Sequence, residues 1–124
     1  MDRLTHDFDI SAYQVQQWNR LILIPYHDIQ YVESSNSKCI LHRSDGSCYI
    51  VYKKLGKIEA ELSDNRFLRC HQSYLVNMDF IAQADRQFHL TTGESVLIRQ
   101  RDLKSIRQAY LDYVQPQANP KPIP

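Results

Sequence analysis

The chain has 124 residues, enough for one domain whose core needs neither disulfides nor a metal. Hydrophobic residues make up 43% and charged residues 23%, with a formal net charge of +1, so bulk charge announces neither nucleic acid nor membrane and any anion binding must come from local charge. No apolar run reaches the ~20 residues of a bilayer span, the start has no signal-peptide pattern, and three cysteines, an odd number, point to free thiols in a reducing cytoplasm.

In chain order, residues 1–19 begin acidic (Asp2, Asp7, Asp9) and carry Phe8, Ile10, Tyr13, Val15 and Trp18 at no sustained period. They are expected to be a flank or linker that packs on the domain or on a partner. Leu21-Ile22-Leu23-Ile24, stopped by Pro25, suits a strand. Ile29 to Glu33 resumes the strand pattern, and Ser34-Ser35-Asn36-Ser37 reads as a polar loop. Asp45-Gly46, between β-prone runs at 38–43 and 48–52, is the strongest hairpin signal. As a two-residue loop it would set Arg43 opposite Cys48, Leu41 opposite Ile50 and Cys39 opposite Tyr52. Cys39 and Cys48 would then share a face about 13 Å apart at the strand rise, too far for a disulfide. From Lys53 the period changes. Leu55, Ile58 and Leu62 fall on one helical stripe, and Gly56 keeps that helix short.

Phe67 to Asn77 is the unusual stretch. Phe67-Leu68 and Tyr74-Leu75-Val76 are apolar anchors, while Arg69, Cys70, His71, Gln72 and Ser73 all carry hydrogen-bonding or reactive atoms. A buried strand would not choose that cluster, so a loop held on a rigid scaffold is expected. Beyond it, 80–84, 87–91 and 95–98 read as strands, with turns near Asp85-Arg86 and Thr92-Gly93. Leu103, Ile106, Tyr110, Leu111 and Val114 mark an amphipathic helix, which Pro116 is expected to end. Residues 114–124, with four prolines, read as a disordered tail.

Catalytic and metal chemistry find little support. Cys39 and His42, three apart on a strand, point to opposite faces, and no further Cys or His completes a ligand set. Side chains of the neighbours Cys70 and His71 diverge, and no acid stands nearby in sequence to orient the histidine. No glycine-rich phosphate loop is present. The chain is expected to be no enzyme and to use no cofactor or metal. Local basic charge says more. Arg99, Arg101, Lys104 and Arg107 gather where the last helix begins, with Asp102 opposing them. Arginine forks suit phosphates and guanine edges, although a solvated helix face would look the same. Ser37-Lys38 and the 69–73 cluster are two further polar, partly basic segments. Three such segments on a β scaffold fit a loop-based reader of nucleic acid.

Several ordered motifs then resemble one family. Ile29-Gln30-Tyr31-Val32-Glu33-Ser34 resembles the opening I-x-Y-I/F-E-S of LytTR-type DNA-binding domains, the effector domains of LytR/AlgR-like response regulators. Residues 55–62 resemble that family's short helix, and 67–77 resembles its hallmark F-x-R-x-H-x-S-Y/F-L/V-V-N. The match covers roughly residues 20–113. The resemblance implies a mainly β fold, an elongated stack of small antiparallel sheets with a short helix and a C-terminal helix. It implies sequence-specific binding of double-stranded DNA by loops, in successive major grooves and the minor groove between them, at direct repeats in bacterial promoters.

The resemblance also places the contacts. Ser37-Lys38, Gln72, and Arg101 with Arg99 one strand step away, fall on its three contact segments, with Lys104 just beyond. Arg69 and His71 either touch phosphates or hold the loop by bonds to neighbouring backbone. Cys70, in that loop, could make binding sensitive to oxidation. Tandem repeats would suit a homodimer. Control would come from a receiver domain, if the chain is a fragment starting at its linker, or from a membrane-bound inhibitor protein, if it stands alone. The rival reading is a protein-interaction module that keeps the fold without DNA, and the near-zero net charge favours it.

Overall fold

The computed structural model describes residues 11–118. Positions 1–10 of the expected flank and 119–124 of the expected tail lie outside them. Alternation builds the first hairpin. β1 (Ala12–Gln17) and β2 (Arg20–Pro25) pair antiparallel, with Gln17 opposite Arg20 across Trp18-Asn19. Tyr13, Val15 and Ile24 are buried on one face, and Gln14, Gln16, Leu21 and Leu23 are exposed on the other. Part of the expected flank is therefore a strand of the fold. Its period is hidden in sequence because Trp18 is a turn residue, at φ 56.

The central sheet has five antiparallel strands in the order β5-β4-β3-β7-β6. They are β3 (Ile29–Ser35), β4 (Lys38–Arg43), β5 (Cys48–Val51), β6 (Phe67–His71) and β7 (Tyr74–Asn77). β3 and β7 bury successive residues, Ile29 to Val32 and Leu75 to Asn77, because each strand is covered on both faces. Val32 and Leu75 enter one core with Tyr13, Ile24, Leu41 and Val51. Tyr31 and Val76 enter a second with Phe88, Val96 and Ile98. Helix α1 (Leu55–Glu61) closes the first core with Leu55, Ile58 and the following Leu62, all buried. Burying each such side chain is worth about 1.5–3 kcal/mol, which outweighs the ~1 kcal/mol cost of Gly56.

A three-stranded sheet of β8 (Ile81–Ala84), β9 (Gln87–Leu90) and β10 (Ser95–Leu97) closes the second core together with helix α2 (Leu103–Ala118). Ile106 is buried there, and Tyr110 meets Phe88 edge-on at 5.7 Å between centroids. α2 runs two residues past Pro116, where the sequence reading stops it. A proline in the closing turn forfeits one intrahelical bond. The implied fold class holds: mainly β, small antiparallel sheets, one short helix and a C-terminal helix.

One register differs from expectation. His42 faces Cys48 and Leu41 faces Tyr49, one residue off the expected pairing. The loop has three residues, not two. Arg43 N–H donates to Ser47 C=O at 2.9 Å, Gly46 N–H donates to Arg43 C=O at 3.0 Å, and Gly46 sits at φ +91. This is a tight turn followed by a left-handed glycine, the common three-residue hairpin. Cys39 therefore turns inward and is buried, while Cys48 is exposed on the other face.

Asp28 secures the same loop. Its carboxylate accepts from Arg43 Nε at 2.9 Å, from Arg43 Nη2 and from the Ser44 hydroxyl. The Ser44 hydrogen bond, aided by the Arg43 guanidinium, holds the carboxyl below the usual carboxylate range. A depressed folded-state pKa gives stability that is present above the unfolded value of about 3.9 and is lost as pH falls through the folded value. Asp28→Asn is therefore expected to lower Tm at neutral pH and to change it little at about pH 2. Calorimetry of both proteins at the two pH values checks this.

Candidate nucleic-acid interface

Three chain segments meet at one edge of the central sheet. The first is the β3–β4 turn Asn36-Ser37, between the paired Ser35 and Lys38. Asn36 takes φ 61, a left-handed value that a tight hairpin demands and asparagine tolerates. The second is the β6–β7 turn Gln72-Ser73, between His71 and Tyr74. Ser34 N–H donates to Ser73 C=O at 2.8 Å, which fastens the second turn to the strand leading into the first. The third is Arg99 with the 3₁₀ turn Gln100–Asp102, joining β10 to α2. Arg99 N–H donates to Cys70 C=O at 2.8 Å, so this segment is tied to β6.

The polar stretch 69–73 is less of a loop than its side chains suggest. β6 continues through His71, and Gln72-Ser73 alone turn. Arg69 faces Leu75 while His71 faces Tyr74, so β6 carries one residue more than β7 at this point. Such a bulge re-aims side chains. Cys70 turns inward and is fully buried, and Arg69 and His71 stay partly exposed. The Cys70 Sγ lies 3.4 Å from Leu97 C=O. Burial pushes its thiol up to about 12, so it holds little thiolate at neutral pH and is a poor target for oxidation. Its burial weighs against an oxidation-sensitive loop. In the folded protein, iodoacetamide is expected to label Cys48 and to spare Cys39 and Cys70. Mass spectrometry of native and denatured samples checks this; fast native labelling at Cys70 would restore the redox reading.

Each nitrogen of the Arg69 guanidinium donates one hydrogen bond within the protein. Its Nε donates to His71 C=O at 2.9 Å, Nη2 to Gln72 C=O at 2.9 Å, and Nη1 to Glu59 Oε1 at 2.8 Å. The His71 Nδ1 accepts from Ser73 N–H at 3.1 Å, so in the neutral ring the proton sits on Nε2. His71, Gln72, Arg99 and Arg101 line an open cleft of about 320 Å³. Arg99 Nη1 bonds Asp102 Oδ2 at 3.1 Å. The Arg101 side chain is 83% exposed and comes no nearer to Asp102 than 4.0 Å.

The expected residues thus separate by position. His71, Gln72, Arg99 and Arg101 share the cleft, Ser37 and Lys38 stand at the neighbouring turn, and Lys104 is exposed on the first turn of α2. Arg69 lies behind the turn it holds. Glu59 and Ser34 escaped sequence reasoning. No spacing rule links Glu59 to Arg69, and its position off the apolar stripe of α1 was the sole hint.

A larger open groove, about 810 Å³, lies between β1 and β5, lined among others by Val15, Trp18, Ile50 and Tyr52. Lys53 is the one charged residue lining it, and its ammonium is held by Glu61 at 3.0 Å. Size alone does not make it a phosphate site. Among the described residues no cluster of three or more His, Cys, Asp or Glu could hold a metal, and no helix is long and apolar enough to cross a membrane.

Comparison with known proteins bears on the family and the fold. The family model of the LytTr DNA-binding domain matches residues 19–110. Accessory gene regulator protein A of Staphylococcus epidermidis is 26% identical over 107 residues, covering 83% of this chain and 44% of that protein. Transcriptional regulatory protein YpdB of Escherichia coli O6:H1 is 27% identical over 84 residues, covering 68% of this chain and 32% of that protein. The chain thus spans less than half the length of these curated relatives. Among solved structures, the LytTr DNA-binding domain of a protein described as a methyl-accepting/DNA response regulator, from Bacillus cereus, superposes with a TM-score of 0.67 at 21% identity. That match covers 80% of this chain and 95% of the other.

Proposed function

Because the chain belongs to the LytTr DNA-binding domain family, a family of regulator domains and not an enzyme class, we propose that it regulates transcription by reading double-stranded DNA with the edge just described. The observation that supports this is the fastening of three segments by two backbone bonds, Ser34 to Ser73 and Arg99 to Cys70, beside a cleft that presents the exposed Arg101. Gln72 stands at the turn tip, where an amide can read an adenine edge or minor-groove acceptors. Arg101 is free to fork onto a guanine. Lys38, Lys104 and the Nε2–H of His71 are placed for phosphates, with Ser37 beside them, and the Arg99 ion pair with Asp102 steadies the segment that carries Arg101.

The sites are direct repeats in promoters, occupied in tandem by two copies, in the bacterial cytoplasm. A receiver domain or a membrane-bound inhibitor protein supplies the control. Selection from random duplexes at two salt concentrations tests the proposal. A recovered repeated motif whose affinity falls with salt supports it, and no binding at micromolar protein sinks it.

A protein-interaction module has one observation of its own. Trp18 is 96% exposed and Tyr52 79%, and both line the groove between β1 and β5, whose one charged residue is Lys53. The same selection separates the readings, since a module without DNA recovers no motif.

A further inference from the structure

We infer that Arg69 and Glu59 are positioning residues, and that the carboxylate of Glu59 on α1 sets the pose in which the Gln72 turn meets DNA. This rests on the DNA-reading assignment above and adds to it a residue remote from the bases.

A guanidinium is a rigid planar fork with donors in fixed directions. In Arg69, Nε and Nη2 grip the consecutive carbonyls of His71 and Gln72, each at 2.9 Å. Holding two successive carbonyls to one plane fixes the peptide orientations on both sides of the Gln72 Cα, and with them the direction in which its side chain leaves the backbone. The third bond, Nη1 to Glu59 Oε1 at 2.8 Å, fixes the rotation of the fork itself. Without it the guanidinium could keep its carbonyls only by hinging about them.

Glu59 is a suitable post because its helix does not move freely. Its neighbour Ile58 is fully buried. Glu61 on the same helix accepts from Tyr13 Oη at 2.7 Å and from Lys53 Nζ at 3.0 Å. α1 is therefore pinned to β1 through Glu61 and to the reading turn through Glu59.

The arrangement makes a prediction with an unusual sign. A carboxylate near a DNA-facing edge repels phosphates, so discarding it would seem to improve binding. Here its loss releases a cation that had been held for positioning. Glu59→Gln is therefore expected to gain affinity for any duplex while losing discrimination. A phosphate-contacting Arg69 predicts the reverse dependence: its replacement would lower binding equally on all sequences and reduce the salt slope by about 0.9.

The test uses Glu59→Gln and Arg69→Lys, with two readouts. In the free protein, hydrogen exchange of the Ser73 amide, which donates to His71 Nδ1, reports the turn. On DNA, the ratio of affinities for selected and random duplexes is followed with salt. Glu59→Gln should speed exchange and cut the ratio by about 3-fold, the scale of an exposed ion pair, with an equal or steeper salt slope. Arg69→Lys, which cannot fork onto two carbonyls, should cut the ratio by about 10-fold without flattening the slope. Wild-type exchange in both variants overturns the inference, as does a sequence-independent loss with a flatter slope for Arg69→Lys. If no duplex is ever selected, the DNA reading fails, and exchange in the free protein still decides the positioning role.

Discussion

Replacing Asn77 with leucine is expected to destabilise the domain by about 3 kcal/mol, a large effect for a substitution of similar size. The Asn77 side chain is fully buried. Its Nδ2 donates to Ile29 C=O at 2.8 Å and Tyr26 C=O at 3.2 Å, and its Oδ1 accepts from Asp79 N–H at 2.9 Å. One amide thus closes the end of β7, the 3₁₀ turn Met78–Phe80 that follows it, and the 3₁₀ turn Tyr26–Asp28 that leads into β3. Leucine removes all three bonds and strands their partners away from water, at about 1–3 kcal/mol for each buried unsatisfied group. The sum is reduced by local relaxation and by the apolar area leucine gains. Urea unfolding should show a lower midpoint at unchanged slope, whereas the exposed Gln108→Ala should stay within about 0.5 kcal/mol of the parent. A midpoint for Asn77→Leu as close to the parent as that control would show the amide is not a keystone.

This asparagine also shows what the sequence made legible. As the last residue of the 67–77 hallmark it was visible as part of a motif, but its partners, 48 and 51 residues away, were not. The stripes of α1 and α2 and the runs of β3, β4 and β7 could be read because their periods survive in the residue order. Three features left no periodic trace. The β4–β5 register turned on the Asp45 carboxylate accepting Ser47 N–H at 2.9 Å, which selects the three-residue loop where an Asp-Gly pair also allows two. The inward turn of Cys70 needs one extra residue in β6, so a strand with a bulge looked like a polar loop. The Arg69–Glu59 bond joins two elements whose approach depends on the packing of α1. The site residues were legible as types and segments. Which of them are spent inside the protein was not.

That distinction decides the second large effect. Arg101→Ala is expected to cost about 1–3 kcal/mol on the selected duplex and to relax preference at a single base pair. The sequence resemblance already maps the base-reading arginine most naturally to Arg101, with Arg99 one strand step away. The geometry favours Arg101. The Arg99 guanidinium bonds Asp102 and its backbone N–H bonds Cys70 C=O, whereas Arg101 extends into solvent with all but one distant contact free. A guanidinium whose one internal contact is a 4.0 Å approach to Asp102 keeps the fork that matches guanine O6 and N7 at little internal cost on meeting DNA. Lys38→Ala supplies the contrast. A lysine beside the Asn36-Ser37 turn should act on phosphate as a point charge, so its loss weakens all duplexes alike and lowers the salt slope by about 0.9. Titrating both variants against the selected site, its single-base variants and random duplex over a range of salt resolves the two patterns. If Arg101→Ala weakens every duplex equally, Arg101 is a phosphate contact, and base reading on this segment passes to Arg99 once its bond to Asp102 is exchanged for DNA.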